Sequence, residues 1–97
     1  MALHYRNIST QSTFVIAGAS VDLVNIVVNT GAASAVCTVY DSNSALSANT
    51  PTIATIDTSA TGNFFYGCSC DRGILVVTSG GNANLTIIYD TYGQGEV

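Results

Sequence analysis

Ile74-Leu-Val-Val-Thr-Ser-Gly-Gly-Asn-Ala-Asn-Leu-Thr-Ile-Ile-Tyr-Asp90 is the stretch on which the reading of the fold turns. It holds two apolar runs rich in Val, Ile and Thr on either side of Ser79-Gly-Gly-Asn-Ala83. Each run is too short for an ordinary helix and too β-branched to prefer one. The first, Ile74 to Thr78, is nearly continuous in apolar residues, as expected of a strand buried on both sides. The second, Asn84 to Tyr89, alternates: Leu85, Ile87 and Tyr89 face one way, Thr86 and Ile88 the other. The glycines between them let the chain reverse.

The same grammar extends in both directions, with turn residues about every eight to twelve positions. Leu3 to Ile8 reads as a strand or as an arm. Thr13 to Ala17 is a strand closed by Gly18. Leu23 to Val28 is a strand in which Val24, Ile26 and Val28 are expected inside, and Leu23, Asn25, Val27 and Asn29 outside. Ala35 to Tyr40 follows. Asp41 to Pro51 is long for a hairpin loop and is expected to cross between sheets or form an exposed lobe. Thr52 to Ile56 and Asn63 to Ser69 are two further strands, the second with Phe64 and Tyr66 as core residues. Asp71-Arg-Gly73 is a tight turn that needs a positive φ at its glycine. These segments predict an all-β chain, a compact β-sandwich or jelly-roll-like barrel of about seven to eight short antiparallel strands. It forms a single domain over residues 1–97, with 1–12 as a candidate N-terminal arm and 91–97 as a C-terminal tail.

Charge is scarce. Only 8% of residues are charged, against roughly a quarter in a typical soluble domain. The basic residues are Arg6 and Arg72, lysine is absent, and the net charge is -4. A duplex-binding protein neutralises several phosphates with Lys and Arg, so two arginines argue against nucleic acid. A P-loop and a lysine Schiff base both need the missing lysine. The 47% hydrophobic content is too high for a disordered chain. No apolar run approaches the ~20 residues of a spanning helix, and the N-terminal residues lack a basic-then-apolar leader. The expectation is therefore a protein assembled in a cytoplasm, with no membrane partner.

Chemistry-bearing residues are few. Cys37, Cys68 and Cys70 cannot pair completely within one chain. They are read as free buried thiols, with a Cys37–Cys68 bridge as one alternative. Zinc held by Cys68 and Cys70, with Cys37 and His4 as the remaining candidate ligands, is the other. His4 is the only histidine and is read as structural or superficial. Asp22, Asp41, Asp57, Asp71 and Asp90 fall at strand ends, where carboxylates bond nearby backbone N–H groups. No Asp-rich calcium loop and no nucleophile elbow occur. Asn7-Ile-Ser9 and Asn84-Leu-Thr86 match the glycosylation pattern and are read as chance. No catalytic residue, cofactor or metal is expected, and the chain is read as a non-enzyme. Tyr5 and Tyr92 lie in the terminal segments, where an aromatic serves as an anchor for a neighbouring chain or packs on the domain's own flank.

Several motifs together resemble those of small all-β proteins of tailed bacteriophages, many of them virion components. They are Tyr5-Arg-Asn-Ile-Ser9, Ile26-Val-Val-Asn-Thr-Gly31, Val39-Tyr-Asp41, Ile53-Ala-Thr-Ile-Asp-Thr58, Gly73-Ile-Leu-Val-Val-Thr-Ser-Gly-Gly81 and Thr86-Ile-Ile-Tyr-Asp90. The resemblance implies a structural protein on the capsid exterior, of decoration, cement or head-fibre type. Its partners would be the major capsid protein or other virion proteins, and it would form a homo-oligomer such as a trimer. The residues expected at such an interface are Leu3, Tyr5, Arg6, Tyr92 and Val97. The alternative function is a head-fibre or tail-fibre module that contacts carbohydrate or a receptor.

Overall fold

Each strand of the chain pairs with the strand that mirrors it from the other end. The computed structural model describes residues 3–18, 20–43 and 51–91. Among these are β1 (Leu3–Ile8), β2 (Thr13–Ala17), β3 (Val21–Thr30), β4 (Val36–Tyr40), β5 (Thr52–Asp57), β6 (Gly62–Cys70), β7 (Ile74–Ser79) and β8 (Asn84–Asp90). β1 pairs with β8, β2 with β7, β3 with β6 and β4 with β5, all antiparallel. The chain is thus one long hairpin, rolled until β3 meets β8 and β4 meets β7. Two four-stranded sheets result, β1-β8-β3-β6 and β2-β7-β4-β5. This is the two-sheet jelly-roll arrangement, a β-sandwich. β1 has the strand form of the two readings left open for Leu3–Ile8.

The core lies between the sheets. Leu23, Ile26, Val28, Leu85 and Ile87 of the first sheet meet Cys37, Val39, Ile56, Ile74 and Val76 of the second, all essentially buried. Alternation explains nearly all of these positions. Leu23 is the exception: expected outside, it is fully buried. The register of β3 slips between Leu23 and Asn25 against both neighbours, leaving Val24 as an extra residue opposite β8. A bulge of this kind reverses the facing of the residues before it. On β7, Ile74, Leu75 and Val76 are all at 0% exposure, so the continuous apolar run does mark a strand covered on both faces. Leu75 lies between Val15 and Tyr40 on the adjoining strands.

The loop of Asp41 to Pro51 does not cross between sheets. It joins β4 to its neighbour β5, and the Asp41 N–H donates to the Pro51 carbonyl at 3.0 Å to close the hairpin. Residues 44–50 of that loop lie outside the described residues, as do 92–97 of the expected tail. At the opposite end of the sandwich the β3–β4 and β7–β8 turns pack together. Gly80 there has a φ of 82°, and a Cβ on it would run into the Ser34 carbonyl. The turn before β7 has its glycine, Gly73, at a φ of 143°.

Ile26 stands at the centre of β3 with no exposure. Ile26→Ala is expected to cost about 2–5 kcal/mol, read as a lower urea midpoint at unchanged slope.

Candidate functional surface

Strand pleating sorts the first sheet into two faces, an inner one on the core and an outer one. Register places Leu3, Tyr5 and Asn7 of β1 on the outer face, beside Asp90, Ile88 and Thr86 of β8. Asp22, Asn25 and Val27 of β3 continue the rows, and Ser69, Phe65 and Asn63 of β6 end them. Side-chain amides bond across every strand boundary. Asn7 Nδ2 donates to Asn84 Oδ1 at 2.8 Å and to the Leu85 carbonyl at 3.0 Å. Asn29 Nδ2 donates to the same Asn84 Oδ1 at 3.0 Å and to Thr86 Oγ1 at 2.9 Å. Asn25 Nδ2 donates to Asn63 Oδ1 at 2.8 Å, and Ser69 Oγ to Asp22 Oδ1 at 2.8 Å.

Arg6 turns away from this face, and Arg72 follows β6 in an exposed turn. Arg6 has its guanidinium 5.5 Å from the Phe14 ring of β2, so it clamps β1 onto the second sheet. His4 stacks on Tyr89 with ring centroids 5.6 Å apart. Arg72 belongs to the turn between β6 and β7, where the Asp71 and Arg72 N–H groups donate to the Asp41 carboxylate at 3.0 and 2.8 Å. Asp57 likewise accepts from the Ser59 N–H at 2.9 Å, and bonding with Ser59 holds its carboxyl below the usual range. These two aspartates perform the turn chemistry expected of strand-end acids. Asp22, second in β3, and Asp90, last in β8, also stand at strand ends, opposite each other in register.

The three cysteines are free thiols. Burial pushes both Cys37 and Cys70 up to about 12, so neither supplies a useful amount of thiolate at neutral pH. The described residues hold no group of three or more His, Cys, Asp or Glu placed to bind a metal ion, and no pocket opens among them. What they do offer is surface and edge.

Among the described residues, four strands form sheet edges: β1, β6, β2 and β5. Three of them carry an irregularity in their pairing. β1 alone pairs in unbroken register over its six residues. Leu3 and Tyr5 project beside its open edge at 59% and 73% exposure. Of the expected interface residues, the structure brings Leu3 and Tyr5 together on one face of β1 and turns Arg6 to the other. Tyr92 and Val97 lie outside the described residues. Phe65, exposed at 72%, was not singled out by the sequence reading, although the alternation that buries Phe64 and Tyr66 places it outside.

In comparisons with known proteins, the chain matches no family model and no curated sequence. The chain is a β-sandwich with an amide-laced outer face and, among the described residues, one regular sheet edge.

The amide network contributes modestly to stability, since it is exposed. Asn84→Ala removes the acceptor shared by Asn7 and Asn29. It is expected to cost about 1 kcal/mol, a fall in Tm of roughly 4–8 °C by thermal melting with the fold unchanged.

Proposed function

We propose that this is a non-enzymatic structural protein of a tailed-phage virion, which decorates or cements the capsid exterior through contacts between protein subunits. The observation that carries the reading is β1, an open edge in unbroken register flanked by exposed Leu3 and Tyr5. Edges of this kind are commonly guarded by bulges, proline, lysine or inward charge, because their free N–H and C=O groups recruit other strands. β1 has no bulge, proline or lysine. Its one charged residue, Arg6, is engaged with Phe14. An edge left this open suits a partner that adds a strand or covers it, with a neighbouring subunit as the occupant.

Composition supports the same reading. A net charge of -4 without lysine disfavours contact with packaged DNA and suits a place outside a shell. Exposed Leu3 and Tyr5, with Ile88 opposite Tyr5 and the Asn7 amide beyond it, supply an apolar contact surface of the kind found at interface cores. The phage resemblance in the sequence motifs supplies the particular assembly.

Deletion of residues 1–10 would be a poor test, because it removes a whole strand together with Ile8, which is 2% exposed. A Leu3→Ser/Tyr5→Ser double variant keeps β1 in place. It is expected to fold with a Tm within a few degrees of the parent and to co-purify with virions at least tenfold less. The parent protein should be reached by gold-labelled antibody on the outside of intact particles. Normal incorporation of the double variant, or a protein absent from particles, would overturn the proposal.

A further inference from the structure

β6 is the other edge of the first sheet, three strand spacings or about 14 Å from β1. Its outward residues are Asn63, Phe65, Gly67 and Ser69. Phe65 leans along its own strand with the tip of its ring over Gly67. A Cβ at Gly67 would come within 3.0 Å of Phe65 Cζ. Gly67 has a φ of 57° at the point where β6 carries an extra residue opposite β3. The glycine therefore serves the bulge and also leaves room for the ring. The ring is thus supported from below by backbone and remains 72% exposed. On one side of it lies the Asn25–Asn63 amide pair, on the other the Ser69–Asp22 pair.

We infer that this part of the face is a binding site for a neutral carbohydrate, with one sugar ring stacked on Phe65. The axial C–H groups of a pyranose carry partial positive charge, and the face of an aromatic ring carries partial negative charge. Sugar hydroxyls both donate and accept hydrogen bonds. The flanking groups match them: amides that do both, a hydroxyl, and a carboxylate that accepts. Nucleic-acid bases also stack on aromatic rings, but their phosphates need cations nearby. Arg6 lies over Phe14 and Arg72, in the turn after β6, is a single cation, too few for a run of phosphates, while Asp22 adds negative charge to the face. The same argument disfavours sulfated or sialylated glycans. The inference goes beyond the structural role proposed above and does not depend on it. A protein mounted by β1 would leave the β6 side of the sheet open to a cell-surface polysaccharide.

The test is a titration of the full-length isotopically labelled protein, followed by NMR, with neutral trisaccharides of glucose, galactose, mannose and N-acetylglucosamine. At least one is expected to shift the amides of Asn25, Asn63, Phe65 and Ser69 in a saturable way. Phe65→Ala is expected to weaken that binding at least tenfold, Phe65→Trp to retain it, and Tyr5→Ala to leave it unchanged. Three outcomes would overturn the inference: no localised shifts with any neutral sugar, equal binding by Phe65→Ala, or self-association in sedimentation that Phe65→Ala abolishes. The last would give the face to a second copy of the chain. Phe65 variants read this site, and Leu3/Tyr5 variants read particle attachment, so either proposal can fail alone.

Discussion

The pairing of β3 with β8 is the seam on which the sandwich depends. Without it the first sheet would be two separate ribbons, β1 with β8 and β3 with β6. Two-stranded ribbons are marginal in water, because one pair of strands buries too little apolar surface. The seam puts Leu23, Ile26 and Val28 beside Leu85 and Ile87, five side chains with almost no exposure. Each contributes roughly 1.5–3 kcal/mol by leaving water. The β4–β7 pairing does the same for the second sheet. Since β3 and β8 are far apart in the chain, closing the seam costs loop entropy before its contacts form, which is the usual reason that such topologies fold slowly.

Much of this fold is legible in the sequence, and the reasons are local. Glycine and asparagine turns mark where strands stop, and alternation in stretches such as Asn84 to Tyr89 marks which side is buried. β7 reads as doubly covered because its run lacks polar interruption, and the structure buries Ile74 to Val76 completely. Alternation alone puts Leu23 outside, because the bulge shifts the count by one and no residue near Val24 advertises it. For Asp41 to Pro51, length alone leaves a crossing connection and an exposed lobe both open, and only the pairing of β4 with β5 excludes the crossing.

The surface was less legible, for a different reason. Asn7 and Asn84 looked like two chance glycosylation matches. They are partners in one network, separated by 77 positions, and a single sequence does not tell which distant polar residues will share a face. Phe65 was within reach of the alternation argument. Its support by Gly67 was not, because that depends on the bulge in β6. Arg6 was placed in the right strand, but its facing was decided by a Phe14 that only the rolled hairpin brings near.

The scarcity of charge gives these features a common sense. The outer face of the first sheet is bonded strand to strand by neutral amides, and its two edges differ in character. β1 is regular and open, held from behind by Arg6, His4 and Ile8. β6 is bulged and carries a supported aromatic ring. In the role proposed, the first edge would meet a neighbouring subunit while the seam stays intact. Hydrogen exchange measured on the free protein and on protein mounted on particles tests this most directly. The account predicts slow exchange across β3 and β8 in both states, with β1 amides fast in the free protein and protected on the particle. Equal exchange of β1 in the two states, or loss of the β3–β8 amides ahead of those of β1, would contradict it.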